Sequence, residues 1–488
     1  MRSSATAEEL PDASFAGQQE TFLDVCGPTA LLTACRRCFA SLYTDRAITR
    51  RQMHGYAHEL VALSVGVQRM VRADRGGSGV MVSIDTETGF DKVVLIHAAW
   101  GLGETVVQGA VSPDEYFVFE PLLAEPGLSP VVERPLGAKD IKMVYAGAGG
   151  ATRNLPTSKA ERGRFVLSDD EILHLARMAV TIEAHYGKPM VMEWVRDGIS
   201  GKLWIVQARP ETVQSRVGAG TLHGYGIGAH GPELARRIAV GQAAVAAPVC
   251  LIESPADMDR FPEGAILVTP TTDPDWLPVM KRAAAIVTDH GGRASHAAIV
   301  SRELGLPAMV GCGDTTHVLH DGQVITVDCT EGDEGVLYEG AAEITETLAE
   351  PSAAPATRTR MMLIMANPGA AFRWWRLGAD GVGLARKEFV ITNAIKVHRL
   401  ALTRYDRLPD GAVKDEIAVL TRGCASKPAY FVDKLARGLA RIAALVWPEP
   451  VIVRMSDFKT NEYAGLPGGA GFEPVEENPM IGFRGASR

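Results

Sequence analysis

The amino-acid sequence predicts an α/β protein of several domains, and three observations support that fold class. The chain has 488 residues, more than one hydrophobic core usually supports, so about two to four domains are expected. Short apolar runs of β character alternate with amphipathic helical stretches. Two stretches of loose composition, residues 215–220 and 350–358, then divide the chain into parts of different character, which we take as 1–214, 221–348 and 359–488.

The first part mixes strands and helices. SGVMVSID and KVVLIHAAW are typical of buried strands. A helix is expected after Ser168, a capping residue followed by acidic residues, and it should end at Gly187. The turn DGISG then separates MEWVR from KLWIVQARP, which predicts a hairpin of two neighbouring strands.

The second and third parts have different patterns. Residues 221–348 predict a compact α/β domain, in which an apolar strand at 283–287 leads through a Gly-Gly loop into a helix. Residues 359–488 repeat strand and helix, from RMMLIMA to VIVRMSD, which indicates parallel strands with helical crossovers. A complete (β/α) barrel needs about 250 residues, so the roughly 130 residues here predict only an incomplete barrel.

The composition of the chain argues against several classes of protein. The net charge of −8 argues against broad binding of nucleic acid or anionic membranes, and no apolar stretch has the length of a membrane span. The start of the chain lacks the apolar core of a secretory signal, and the seven cysteines are scattered, so we expect a cytoplasmic protein. Cys35 and Cys38 form a C-x-x-C pair, which we interpret as filler of an amphipathic helix rather than as a redox motif.

The loop before the predicted helix of the second part carries the strongest chemical signal. Ser295 can cap the helix, which places His296 in its first turn. The positive end of a helix dipole favours a neutral, nucleophilic imidazole and stabilises a bound phosphoryl group. Gly291 and Gly292 allow close approach of the backbone, and Arg293 could donate to a phosphate. From these residues alone, His296 could equally be a surface residue beside a capped helix.

A resemblance to a known family favours the interpretation of His296 as a phosphoryl carrier. Residues 288–305, TDHGGRASHAAIVSRELG, resemble the phosphohistidine signature of the PEP-utilising enzymes, and the whole chain is most similar to their phosphoenolpyruvate synthase (pyruvate, water dikinase) branch. The resemblance implies that His296 carries the phosphoryl group on a swivelling domain. Thr288, Gly291, Gly292, Arg293 and Ser295 would form the phosphohistidine loop.

The first part resembles the nucleotide-binding domain of the same enzymes, of the ATP-grasp kind. The match rests on SGVMVSIDTETGF, AAWGLGETVVQGAVSPDEY and MEWVRDGISGKLWIVQARPET, and it implies that Arg2, Glu193, Gln207 and Arg209 bind ATP. Glu193 and Gln207 would also bind Mg²⁺, the implied cofactor, because the hairpin brings their oxygens together. Val191 replaces a residue that is usually acidic in the family. Without the resemblance, Glu193 and Arg209 would be interpreted as a solvated strand pair.

The third part resembles the beginning of the family's PEP/pyruvate barrel. GVGLARKEFV and VIVRMSDFKTNEY carry the match, which implies that Arg386 and Arg454 bind the phosphate and carboxylate of the substrate. Arg484 could provide a third contact with the anion. Cys312 and Cys424 do not fit the family's cysteine motif, so we assign neither a catalytic role.

The implied reaction converts ATP, pyruvate and water into AMP, PEP and phosphate through phosphorylated His296. Met1 aligns with an interior residue of the family, and the barrel's own metal ligands would follow residue 488, so the chain is expected to be truncated at both ends and to make no PEP by itself. The open sheet edge predicts association into homo-oligomers. A phosphate-dependent dikinase is a less favoured alternative, because SDFKTNEY has the synthase form. A non-catalytic or regulatory phosphocarrier remains a second alternative.

Overall fold

The computed structural model describes residues 1–6, 9–10, 13–14, 21–53, 57–146, 152–212, 222–349 and 357–476. The 215–220 tether, Arg484 and most of the 350–358 tether lie outside these ranges. Within them, no helix combines the length and the apolar character needed to cross a bilayer. Mixed α/β architecture is present in all three parts, which confirms the fold class expected from the alternating patterns.

The first part is built on a six-stranded antiparallel sheet, and its described residues also form three two-stranded sheets. Its strands are β1 (Arg2–Ala5), β2 (Glu9–Leu10), β3 (Ala13–Ser14), β4 (Leu63–Gly66), β5 (Gly77–Val82), β6 (Val93–Trp100), β7 (Asp114–Phe119), β8 (Val131–Glu133), β9 (Ile141–Tyr145), β10 (Thr152–Pro156), β11 (Met190–Arg196) and β12 (Leu203–Pro210), and its helices are α1 (Pro28–Ala40), α2 (Asp45–Met53), α3 (Glu104–Val107), α4 (Lys159–Arg162) and α5 (Asp169–Tyr186). The six-stranded sheet has the order β12-β11-β5-β6-β7-β8.

Helix α5 covers one face of this sheet. It begins at a Ser168 capping box and ends at left-handed Gly187, as predicted. Ile172 and Leu175 pack against Trp194 and other apolar side chains of the strands. Because side chains alternate between the faces of a strand, Val80 and Val82 of β5 point away from α5 and are available to line the opposite face. Cys38 is buried on α1, which confirms a helical setting for the C-x-x-C pair.

The second part contains a closed barrel of seven strands, a feature that the sequence did not predict, and a separate two-stranded sheet. Its strands are β13 (Leu222–Ile227), β14 (Glu233–Val240), β15 (Ala244–Leu251), β16 (Ile266–Thr269), β17 (Ala285–Thr288), β18 (Ala308–Val310), β19 (Val324–Asp328), β20 (Glu334–Glu339) and β21 (Ile344–Ala349), and its helices are α6 (Leu277–Met280), α7 (His296–Leu304) and α8 (Thr315–Val318). The closed order is β14-β18-β17-β16-β15-β19-β20.

Alternating side chains fill the barrel and cover it. Ile266, Val287, Met309, Ile325 and Leu337 belong to the cluster formed by one set of faces. The opposite faces pack with α6 and α7 in a second cluster. Strands β15, β16, β17 and β18 are parallel neighbours, so the segments that follow β16 and β17 emerge at the same edge. We call this part the central barrel.

The third part contains a parallel sheet of order β22-β23-β24, as the βα pattern predicted. Ile364 is 64% exposed and Ile452 is 56% exposed on this sheet. A 3₁₀ helix (Ala371–Leu377) follows the first strand of this part. The elements are β22 (Leu363–Met365), β23 (Val382–Ala385), β24 (Val451–Val453), α9 (Lys387–Val390), α10 (Arg399–Thr403), α11 (Ala412–Leu420), α12 (Lys427–Val446) and α13 (Thr460–Ala464).

Candidate functional site

His296 is the first residue of α7, in the position that the sequence predicted. The Ser295 side chain accepts a hydrogen bond from the backbone N–H of Ala298, and Gly305 ends the helix in the left-handed conformation. Thr288 ends β17, and its hydroxyl donates to the carbonyl of His290 at 2.8 Å, which closes the loop between strand and helix. The helix start therefore presents an imidazole beside backbone N–H groups, the arrangement that suits a phosphoryl carrier.

Thr272 orients the imidazole, and sequence reasoning missed this residue. Its Oγ1 lies 3.0 Å from Nδ1 of His296. Thr272 follows β16, and the histidine loop follows β17, its parallel neighbour. Parallel strands bring their carboxyl ends to one edge of a sheet. The two threonines that follow the apolar run of β16 were therefore the signal in the sequence for a polar partner of His296.

The two loop glycines are required where the loop meets the first part. A Cβ at Gly292 would lie 2.9 Å from Cδ of Pro113, and Gly291 has φ +118°. Ser112 also donates from its hydroxyl to the carbonyl of Gly291 at 3.2 Å. In this arrangement the two glycines allow the loop to pack closely against residues 109–113. Close approach of these glycines to a phosphate, their expected role, stays a prediction.

Arg293 makes contacts other than those the sequence suggested. Its guanidinium lies 3.0 Å from Asp333, 3.4 Å from Glu115 and 3.5 Å from Glu87, and the side chain is 3% exposed. Two of these carboxylates belong to the first part of the chain. Donation to a phosphoryl group on His296, the expected role, would require these ion pairs to rearrange. In this arrangement Arg293 is a contact between the central barrel and the first part.

The predicted hairpin of β11 and β12 brings the nucleotide candidates together. Glu193 is directly opposite Gln207, and Val191 is opposite Arg209. Arg2 reaches this pair from β1: its guanidinium lies 3.4 Å from Glu193, and it also donates to Gln207. The register shifts immediately after Glu193, and such bulges frequently occur near active sites, where they redirect side chains.

A cavity joins this hairpin to the histidine loop. Glu193, Gln207 and Arg209 line it from the first part, and Arg293 and Ala294 line it from the loop. Apolar side chains of β5 and β11 form its wall, and α7 contributes two residues. These additional lining residues are Val80, Val82, Val191, Ile299 and Arg302. Cations, oxygen ligands and an apolar wall in one cavity suit the phosphates and the base of a nucleotide.

The inner end of the cavity contains a buried imidazole and a buried carboxyl group nearby. His97 lines the cavity, and its Nε2 lies 3.6 Å from Glu115. Burial, together with the charges of Arg302 and Arg293, lowers the pKa of His97 to about 3. Burial raises the pKa of Glu115 to about 7, although Arg293 opposes the shift. His97 is therefore neutral near pH 7 and does not compete with the arginines for an anion.

The two arginines predicted to bind substrate lie at one edge of the parallel sheet. Arg386 follows β23 and Arg454 follows β24. The N–H of Arg454 donates to the carbonyl of Ala385 at 3.2 Å, which joins the two segments. The Arg454 guanidinium lies 3.3 Å from Glu388, and that carboxylate accepts a hydrogen bond from the N–H of Asp457 at 2.8 Å. Both arginines thus lie at the carboxyl ends of neighbouring strands, where barrel enzymes place their sites.

Cys312 and Cys424 have surroundings that disfavour thiolate chemistry. Burial raises the pKa of Cys312 to about 12, and burial also raises the pKa of Cys424. A thiol with a raised pKa is a weak nucleophile near neutral pH. This is consistent with the absence of a catalytic assignment for either residue.

Three protein-family models match successive regions of the chain. Residues 1–222 match the model for the AMP/ATP-binding domain of pyruvate phosphate dikinase. Residues 261–332 match the mobile domain of PEP-utilising enzymes. Residues 343–488 match the PEP-binding domain of PEP-utilising enzymes.

Curated relatives align with the full chain. Phosphoenolpyruvate synthases are 54% identical in Synechocystis sp., 51% in Pseudomonas aeruginosa and 50% in Escherichia coli, each alignment covering 100% of this chain. The chain spans 60% of the first relative's length and 62% of each of the other two. The three family models and these identities lead to one conclusion: the chain belongs to the PEP-utilising enzyme family, and the three relatives named above are phosphoenolpyruvate synthases.

Proposed function

We propose that this chain takes part in the synthesis of PEP from ATP, pyruvate and water, with His296 as the phosphoryl carrier. The observation that supports this proposal most directly is the shared cavity. Arg293 and Ala294, from the loop that precedes His296, line the same space as Glu193, Gln207 and Arg209. A histidine at a helix start, whose loop reaches a cavity with cations and oxygen ligands, suits displacement of a phosphoryl group from a nucleotide.

The first part is proposed to be an ATP-grasp-like nucleotide domain, and its residues fit Mg²⁺. Magnesium in such sites is usually bound by one or two carboxylates together with the substrate's phosphates. Glu193 and Gln207 provide one carboxylate and one amide oxygen on adjacent strands. A bound magnesium ion would neutralise phosphate charge. The chain's own contribution is to align the nucleotide through Arg2 and Arg209 and to exclude water with the apolar wall.

The third part is proposed to receive the phosphoryl group. Arg386 and Arg454 would bind the carboxylate and the phosphate of PEP, for which planar guanidinium groups are well suited. The central barrel, residues 221–348, would carry His296 between the two sites on the tethers at 215–220 and 350–358. In the arrangement described here the loop lies at the nucleotide cavity, which is the position suited to phosphorylation by ATP.

Acid–base stability of a protein-bound label tests the role of His296. The chain is incubated with Mg²⁺ and ATP carrying radiolabel in its β- and γ-phosphates, or with radiolabelled PEP. The expected label is stable in base and lost in acid, as for a phosphoramidate. His296→Ala should abolish the label, whereas the control variant His290→Ala, which removes an exposed imidazole six residues earlier, should retain it. Equal labelling of His296→Ala and the parent chain would refute the assignment.

A further inference from the structure

The turn between β5 and β6 contacts both of the other parts of the chain. Asp85 shapes this turn: its N–H donates to the carbonyl of Phe90 at 2.9 Å, and its carbonyl accepts from Gly89 at 2.8 Å. The Asp85 side chain also accepts a hydrogen bond from the N–H of Glu87 at 3.3 Å. The sequence Asp-Thr-Glu-Thr-Gly thus forms a tight turn that fixes the backbone of Glu87.

Glu87 points from this turn into the central barrel. Its Oε1 accepts a hydrogen bond from Nε of Arg302 at 3.0 Å, and a second from the same guanidinium. Its Oε2 accepts from the N–H of Gly241 at 2.9 Å. Its backbone carbonyl accepts from the side chain of Gln242 at 3.2 Å. Arg293, in the histidine loop, lies 3.5 Å away. One carboxylate therefore contacts three separate segments of the barrel.

The third part holds the same turn from another side. The indole N–H of Trp375 donates to the carbonyl of Thr88 at 3.0 Å. The rings of Phe90 and Phe372 stack with centroids 4.4 Å apart. These contacts fix the turn that carries Glu87 against the third part. The same segment of the third part also reaches the central barrel, where Arg373 donates to the carbonyls of Thr330 and Gln242.

Charge makes this contact both specific and reversible. The side chains of Glu87 and Arg302 are 9% and 6% exposed, so each charge depends on the other for stabilisation. Removing one partner of a buried pair leaves the other charged group without compensation. Separating the intact pair returns both charges to water, which offsets much of the lost attraction. An ion pair therefore suits a domain that must dock in one orientation and leave again.

We propose that Glu87 is the positioning residue that holds the central barrel, and with it the His296 loop, at the nucleotide cavity. The inference rests on the proposed carrier role of His296 for its biological meaning. Its test measures docking itself without added nucleotide, so failure of the docking proposal is distinguishable from failure of the phosphoryl-transfer proposal.

Hydrogen–deuterium exchange of the 488-residue chain tests the proposal with Glu87→Gln. The informative peptides cover residues 109–113 and 291–295, which face each other across the interface. Arg293, in the second peptide, also contacts Glu87 directly. Their exchange should accelerate by about 30-fold, since truncating a buried charge pair shifts docking equilibria by that order. Peptides 93–100 and 266–269, from the buried strands β6 and β16, should keep their rates, because neither part unfolds.

Two further variants separate docking from general damage. Glu171→Gln removes a carboxylate that pairs with Arg196 inside the first part, and it should leave the interface peptides unchanged. Combining Glu87→Gln with Arg302→Met removes both charges, so the double variant should exchange no faster at the interface than Glu87→Gln alone. Unchanged interface exchange in Glu87→Gln would overturn the proposal. Equal acceleration of the core and interface peptides would also overturn it, because it would indicate a folding role.

Discussion

The hydroxyl of Thr272 lies 3.0 Å from Nδ1 of His296, and the two residues belong to segments that follow parallel strands. Thr272 is 2% exposed, so its side chain has little freedom to move away from the ring. This contact fixes the orientation of the imidazole before any phosphoryl donor arrives. It also distinguishes the two ring nitrogens, because Nδ1 faces the hydroxyl.

We predict that Thr272→Val slows labelling of His296 by about tenfold. The variant has a similar shape but lacks the hydroxyl that orients the ring, and misorientation of a reacting group typically costs at least that much. Labelling rates from radiolabelled ATP or PEP provide the measurement. Thr271→Val alters an exposed neighbour and serves as the control. Equal rates in the two variants would show that the contact does not orient His296 for reaction.

Val191→Asp is expected to tighten Mg²⁺-dependent binding of nucleotide. Val191 lines the cavity with Glu193, and an added carboxylate would increase the attraction for the cation. Titration with nucleotide at several Mg²⁺ concentrations measures the effect. The same substitution in a Glu193→Gln background should yield a smaller gain, because fewer ligands remain. No change in the parent background would mean that position 191 does not reach the metal.

Arg454→Lys should weaken binding of PEP by about tenfold, because lysine cannot reproduce the planar donor pair of a guanidinium. The Arg454 guanidinium lies 3.3 Å from Glu388, which orients the side chain. Calorimetric titration of the chain with PEP measures the change. Arg407→Lys, at an exposed position of the same part, is the matched control. An equal loss in both variants would point to a nonspecific charge effect.

Glu120 is expected to make the chain less stable as pH rises. Burial, then the charges of Glu183 and Asp91, raises its pKa to about 8 from an ordinary value of 4.5. The folded state therefore binds the proton more tightly than the unfolded state between these values, and stability is lost as pH rises through that window. Between pH 5 and pH 8, the free energy of unfolding of Glu120→Gln should therefore fall by roughly 1–3 kcal/mol less than that of the parent chain.

Urea unfolding at pH 5 and pH 8 measures that difference. Glu125→Gln, an exposed carboxyl group five residues later, should leave the pH dependence of the parent chain unchanged. If the free energy of unfolding of Glu120→Gln depends on pH as strongly as that of the parent, Glu120 does not titrate in the predicted range.

Interactions between residues that are close in the sequence made several helices and one strand pair predictable. Ser168 and Gly187 marked the ends of α5, because a capping side chain and a left-handed glycine act within one turn of the helix. Ser295 marked the start of α7 in the same way. The turn DGISG predicted the pairing of β11 with β12, and hence the proximity of Glu193 and Gln207. The roles of these two residues rested on family resemblance, since a glutamate and a glutamine on neighbouring strands have no unique chemistry.

Only the tertiary structure could place the interactions between distant segments. The sequence could not show that Arg293 lies within 3.5 Å of three carboxyl groups, or that its loop approaches Pro113. Glu87 and Arg302 are separated by 215 residues, and neither has a local pattern that indicates its partner. Closure of the seven-stranded barrel likewise depends on pairing β14 with β20. The physical reason is that capping and turn formation depend on neighbours in the chain, whereas ion pairing and sheet closure depend on which surfaces the folded chain brings together.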